Sequence, residues 1–331
     1  MKKTRIQIIG ALAGALVLGL AFAGCSNITA ASAAANRYAI VIGVSVYDDY
    51  YSEGDGPNLS YPDNDADDIA TLLASKGWTV KYTLVNSDAT YSNIETDIEA
   101  LKGIVDSSST VLVYYSGHGS INSSNEACII PQDACVKDAT TAGKYSFNET
   151  KFISAATMSD LLGALSCRNK LLILDSCYSG GFVDAGSSTD AIPSSYGTYE
   201  GGTEASLLAA ALGNFGTLLQ NSISSGGDPD VLTITAAGSN EYSWDDGNHK
   251  HGAFTYYLLQ AATSGDSDGD GYVTASEAYA YAKAKIKSVW DAEYLTNLPY
   301  WKQYYYYYGY VPDFMPHISG GTGDLVLYNN N

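Results

Sequence analysis

The chain has 331 residues, with 17 Lys and Arg against 36 Asp and Glu, a formal net charge of −19. That length admits one large α/β domain or two small ones. The acidic balance argues against nucleic acid and anionic lipid as partners and suits basic side chains or divalent cations. The cysteines contain no Cys-x-x-Cys pair, so neither a disulfide scaffold nor a zinc site is expected, although a Cys128–Cys135 bridge stays open.

The first 25 residues, MKKTRIQIIGALAGALVLGLAFAGC, combine a basic start (Lys2, Lys3, Arg5), an apolar run from Ile8 to Phe22, and small residues before Cys25. Residues 1–24 therefore read as a secretory signal, too short and wrongly flanked for a spanning helix. Phe22-Ala23-Gly24-Cys25 resembles a bacterial lipobox, with Phe where Leu is usual. The resemblance implies that Cys25 is lipidated and begins the mature chain, with 25–36 as a linker. An ordinary signal cut near Ala35, discarding Cys25, is the competing reading. Both place the protein outside the cytoplasm, and the first holds it to the membrane by lipid alone. Loss of residues 1–24 removes three positive charges and no acid, taking the net charge to −22.

Strand-like and helix-like segments then alternate. YAIVIGV (38–44), WTVKYTL (78–84), TVLVYYS (110–116), KLLILDS (170–176) and VLTITAA (231–237) are short, apolar on both faces, and rich in β-branched or aromatic residues. Buried parallel strands look like this. Helical patterns separate them over 63–77, 92–108 and 156–166, and two more follow over 251–265 and 274–290. The alternation predicts an α/β domain over 37–290: a mostly parallel sheet with helices on both faces and ligands beyond the carboxyl ends of the strands. Residues 183–229, rich in Gly, Ser, Thr and Ala, read as a mobile insertion. Within the C-terminal segment 291–331, QYYYYYGYVPDF (303–314) reads as a strand or packing segment. A carbohydrate platform is its alternative.

Chemistry concentrates at two strand ends. The third candidate strand runs into Ser116-Gly117-His118-Gly119, the fourth into Asp175-Ser176-Cys177. A lone free cysteine is more often a packed small hydrophobe than a nucleophile, and a lone strand-end histidine is more often structural. Parallel strands, however, bring both ends to one edge. A Cys and a His facing each other there suit thiolate catalysis, and the glycines beside His118 let a substrate backbone approach.

These residues resemble the caspase-like cysteine peptidases, and the metacaspase branch in particular. VLVYYSGHGS is similar to that family's His motif and LLILDSCYSGGF to its Cys motif. LSYPDNDADDIATLLASKGW resembles its Asn-Asp segment, with Tyr61 in place of a glycine; TITAAGSNEYSW and HGAFTYYLLQA resemble its last core strand and following helix. The resemblance implies the three-layer caspase-haemoglobinase fold. It also implies Cys177 as nucleophile, His118 as general acid/base, and the backbone N–H groups of Gly119 and Cys177 as oxyanion hole. Asp65 and Asp175 would line a pocket that selects Arg or Lys before the scissile bond by charge pairing, with Ser116 near its mouth. Bland readings stand beside these. Asp65 could be a solvated acid in a first helical turn, and Asp175 could satisfy nearby backbone donors. NEACIIPQDA (125–134) resembles a family segment containing calcium-related acids, but only Glu126, Pro131 and Asp133 match, and they are not taken as ligands.

Residues 266–277, DSDGDGYVTASE, place Asp266, Asp268 and Asp270 at positions 1, 3 and 5 of an EF-hand loop. Gly271 falls at 6, the Tyr272 carbonyl at 7 and Glu277 at 12. Thr274 to Glu277 is also a capping box. Capping explains neither the aspartate spacing nor Gly271, so a bound Ca²⁺ is expected; its role so far from Cys177 is bracing rather than switching. No Lys or Arg occurs from Tyr178 to His249, so an enzyme requiring basic residues could not cut itself there. The expected function is a lipid-anchored, extracytoplasmic cysteine endopeptidase acting on peptides or proteins with basic residues. The alternatives are a caspase-like scaffold without peptidase activity and another acyl transfer on the same dyad.

Overall fold

A computed structural model describes residues 36–124, 126–176, 231–237, 243, 245–296, 299, 302, 315–320 and 325–331. Cys25, Cys177, the 183–229 insertion and the 303–314 tyrosine run lie outside the described residues. Along the chain come β1 (Arg37–Gly43), α1 (Pro62–Ser75), β2 (Thr79–Val85), α2 (Tyr91–Ala100) and β3 (Thr110–Ser116). Short strands follow: β4 (Gly119–Ile121), β5 (Ala127–Ile129), β6 (Cys135–Lys137), β7 (Tyr145–Phe147) and β8 (Ile153–Ser154). Then come α3 (Ala155–Gly163), β9 (Asn169–Asp175), β10 (Val231–Thr235), β11 (Asp245–Asp246), β12 (His251–Gly252) and α4 (Ala253–Ser264). The described chain closes with β13 (Tyr272–Thr274), α5 (Ala275–Thr296), β14 (His317–Ser319) and β15 (Val326–Asn329).

Among the described residues the central sheet runs β14-β10-β9-β3-β1-β2. All its pairings are parallel except that of the edge strand β14. The unbroken apolar run of β3 has a simple cause: period-2 alternation sends its side chains into two cores. Val111, Val113 and Tyr115 pack with Ile94 and Ile98 of α2 and Met158 and Leu162 of α3. Leu112 and Tyr114 pack on the other face with Ile69 of α1, Leu258 of α4 and Ala282 of α5. Helices thus cover both faces, giving the three expected layers.

Boundaries moved for local reasons. The helix expected over 92–108 stops at Ala100 and tightens into a 3₁₀ turn over Leu101–Gly103, where glycine is a poor helix former. The helix expected over 251–265 starts at Ala253, because His251 and Gly252 instead pair with Asp246 and Asp245. Cys128 is buried and Cys135 half-buried, and both are free thiols, so the open Cys128–Cys135 bridge is absent. The C-terminal strand β15 pairs with β13, Arg37 stacks over Trp78 at 4.9 Å, and both side chains bond β15 carbonyls.

Candidate active site

The sheet sets the site by register. Gly43, Ser116 and Asp175 are paired neighbours at the carboxyl ends of β1, β3 and β9. The first turn of α1 sits against that edge so closely that a Cβ on Gly43 would lie 2.3 Å from the Pro62 carbonyl oxygen. This approach delivers Asp65 into the interior. It is 0% exposed, accepts a 2.8 Å hydrogen bond from the Ser116 hydroxyl, and lies 2.8 Å from Nδ1 of His251. The Gly252 N–H also donates to it, at 3.1 Å. Asp65 is therefore not a solvated helix-start acid. Ser116, expected near a pocket mouth, is buried against Asp65.

Asp175 is likewise buried and accepts from both the N–H (3.1 Å) and the hydroxyl (2.7 Å) of Thr255 and from the Ser243 hydroxyl. The backbone-donor reading of Asp175 is thus satisfied as well, by the first turn of α4. Both carboxylates crowd one glycine: a Cβ on Gly252 would fall 2.3 Å from Asp175 Oδ2 and 3.1 Å from Asp65 Oδ2. Burial, reinforced by the Asp175 charge and opposed by the His251 and Ser116 hydrogen bonds, pushes Asp65 up to about 7. Burial raises Asp175 too, against its bonds from Ser243 and Thr255. A third acid, Asp245, is exposed on β11 and accepts from the Ser60 N–H. The buried pair of Asp65 and Asp175 loses stability when both are ionised unless a cation joins it.

His118 follows Ser116 by two residues, as Cys177 follows Asp175 by two in the sequence. Its Nε2 lies 2.8 Å from the Pro57 carbonyl. A carbonyl only accepts, so Nε2 carries the proton and Nδ1 is the basic nitrogen. Burial lowers the imidazole pKa, against the Pro57 bond, which favours the neutral form. The ring leans on Tyr47 at 4.8 Å and meets Phe147 edge-on at 6.0 Å. The His118 N–H donates to the Tyr47 hydroxyl at 2.9 Å, and its carbonyl accepts from the Tyr115 hydroxyl at 2.8 Å. Gly117 permits this: a Cβ there would lie 2.5 Å from the Tyr115 hydroxyl. Asn58 fixes the Pro57 loop, accepting from the Tyr47 and Asp48 N–H groups and donating to the Asp48 and Tyr51 carbonyls. Gly119 opens β4 opposite Ile129.

His251, Thr255, Asp245 and the Tyr47–Asn58 loop were not assigned roles from sequence. His251 and Thr255 do carry a readable signal, since a His-Gly pair and a Thr flank a helix start at Ala253 within HGAFTYYLLQA. The acids of NEACIIPQDA are structural: Asp133 pairs with Lys151 at 2.9 Å and accepts from the Tyr91 N–H, and Glu126 accepts from Asn122. Far from the sheet edge, oxygens of Asp266, Asp268 and Asp270 gather within 4.8 Å of one another. Glu277 closes the capping box instead, accepting from the Thr274 N–H at 2.9 Å, and also takes bonds from Ser267. Gly271 has φ +85°, the left-handed turn that the loop pattern requires.

Two of the solved structures that resemble the chain illustrate the likeness. One is a crystal structure of a Geobacter sulfurreducens protein, 17% identical, covering 89% of this chain and 97% of its own at a TM-score of 0.49. The other is caspase-1 from Spodoptera frugiperda, 14% identical, covering 90% and 91% at a TM-score of 0.45. No match was found among curated proteins. The caspase-domain family model matches residues 36–299, a span that holds the five parallel strands of the central sheet, both covering helix layers and the SGHG and DSC sequences. The chain belongs to the caspase-domain family of cysteine peptidases and has its fold.

Proposed function

We propose that the chain is a metacaspase-type cysteine endopeptidase that cleaves after Arg or Lys, with Cys177 as nucleophile and His118 as general acid/base. One observation carries the reading: Asp65 and Asp175 form a buried carboxylate pair at the same sheet edge as His118. Nδ1 of His118 takes the Cys177 thiol proton, and the thiolate attacks the scissile carbonyl carbon. The oxyanion is met by the N–H groups of Gly119 and Cys177. As the C–N bond breaks, the Nδ1 proton passes to the leaving amine and a thioester remains. Water then gives a proton to Nδ1 and attacks the thioester; the C–S bond breaks and the proton returns to sulfur. The substrate guanidinium or ammonium offsets the desolvated charge of Asp65 and Asp175.

A peptide library digested with Ca²⁺ and reductant present tests this. Cuts after Arg and Lys alone are expected; cuts after acidic or apolar residues would overturn the specificity. No cleavage of any peptide would favour the scaffold reading.

The proposal extends to location: Cys25 is lipidated and holds the enzyme outside the cytoplasm. Cys25→Ser is expected to move it from the membrane to the soluble fraction, and unchanged fractionation would refute the anchor.

Asp266, Asp268, Asp270, the Tyr272 carbonyl and Glu277 would hold one Ca²⁺, an all-oxygen donor set suited to a hard cation. Binding would require Glu277 to exchange its capping bonds for the ion. Ca²⁺ at about 100 times its Kd should raise the melting temperature by roughly 5 °C. Asp268→Ala should abolish that rise; an equal rise in the variant would remove the loop as the site.

A further inference from the structure

Both ring nitrogens of His251 face carboxylates. Nδ1 lies 2.8 Å from buried Asp65 and Nε2 lies 3.3 Å from Asp68, whose side chain is 60% exposed. The imidazole itself is only 13% exposed. It therefore sits between solvent and the carboxylate pair that the proposed function assigns to the substrate's basic side chain. Because that reading needs a cation beside Asp65, the resident imidazole and the incoming guanidinium compete for one place.

We propose that His251 is the resident counter-ion of the Asp65/Asp175 pocket and a specificity-determining residue, whose imidazolium holds the pocket against basic side chains and whose neutral form yields it to them. The inference rests on the basic-residue reading above. The acids around His251 agree on the sign. From α1, Asp65 and Asp68 face it; from β9, Asp175 acts on it through space. Asp246 is its pairing partner across the β11–β12 hairpin, with Lys250 just before it in sequence, and the Tyr256 ring of α4 stacks nearby at 6.4 Å. The Asp65 hydrogen bond and the charges of Asp65, Asp68 and Asp175 raise the imidazole pKa against its partial burial. Asp65 is itself raised to about 7. The two groups titrate as a pair, and whichever releases the proton, the pocket becomes more negative as pH rises through neutrality.

The observable is the ratio of kcat/KM for matched peptides with Arg or its neutral isostere citrulline at the cleavage position, since the ratio cancels the titration of the dyad. Between about pH 5.5 and about pH 8.5 the wild-type ratio is expected to rise about tenfold. His251→Gln, with no imidazolium, should raise the ratio at about pH 5.5 and leave only the smaller rise that Asp65 supplies, and His251→Lys should keep a low ratio throughout. Asp68→Asn, altered on the solvent side, should shift the rise to lower pH and tests the idea even if the His251 variants fold poorly. A wild-type ratio above one but flat with pH, or one unmoved in all three variants, overturns the role of His251 and leaves basic specificity standing. A ratio near one at every pH overturns basic specificity itself.

Discussion

Replacing His118 with Ala is expected to lower kcat by about three orders of magnitude while KM for Arg peptides stays within about threefold. The asymmetry follows from where the residue sits. His118 bonds Pro57 through Nε2, and Nδ1 has no hydrogen-bond partner among the described residues, so it supplies a proton acceptor rather than a binding contact. Cys177→Ala should lose at least as much, and the double variant hardly more, because residues that act as a unit are not additive. Burial lowers the His118 pKa, so the imidazole stays neutral below the ordinary histidine value of about 6.5. The acid limb of kcat is therefore expected below that point. A His118→Ala variant with altered KM and unaltered kcat would show a merely structural histidine.

The sheet was legible because its chemistry is redundant. Strands such as TVLVYYS are apolar on both faces, and only a doubly covered parallel strand needs that. Once the order is parallel, the strand-end residues Ser116 and Asp175 must meet at one edge, and the register pairs them directly. Short elements were less readable. β6 and β7 are exposed three-residue strands without alternation, and β14 owes its place to pairing with β10 rather than to a pattern of its own.

What the sequence concealed in the site came from distant segments. Pro57 contributes only a carbonyl, which no side-chain motif advertises. Asn58 reads as a turn residue, yet its amide holds the loop that presents that carbonyl. His251 lies 186 positions from Asp65, so only the packing of α4 against α1 brings the two together. Asp65 illustrates the reverse case: beside Asp63, Asp67 and Asp68 it looks like one of several solvated acids. The close approach permitted by Gly43 is what separates it from them.

Asp175→Asn is expected to cut kcat/KM for Arg peptides about a hundredfold and to leave citrulline peptides within about twofold of wild type, since removing one charge from a desolvated ion pair costs about 3 kcal/mol. The fold should tolerate it. An amide oxygen can still accept from the Thr255 N–H and hydroxyl, and the amide N–H₂ can donate to a rotated Ser243 hydroxyl in place of the bond now made. Removing a charge also relieves two buried acids that crowd Gly252. The linkage sign follows from the raised pKa values of Asp65, Asp175 and His251. Groups raised in the folded state contribute stability at low pH that is lost as pH climbs through their folded values. The wild-type melting temperature should accordingly fall between about pH 5 and about pH 8, and fall less in Asp175→Asn. Gly252→Ala should behave differently, because its Cβ would push Asp175 away from Thr255 and disturb Asp65 as well; there both stability and Arg cleavage are expected to drop. If Asp175→Asn instead lowered Arg and citrulline cleavage equally, Asp175 would be holding the start of α4 in place rather than reading the substrate's charge.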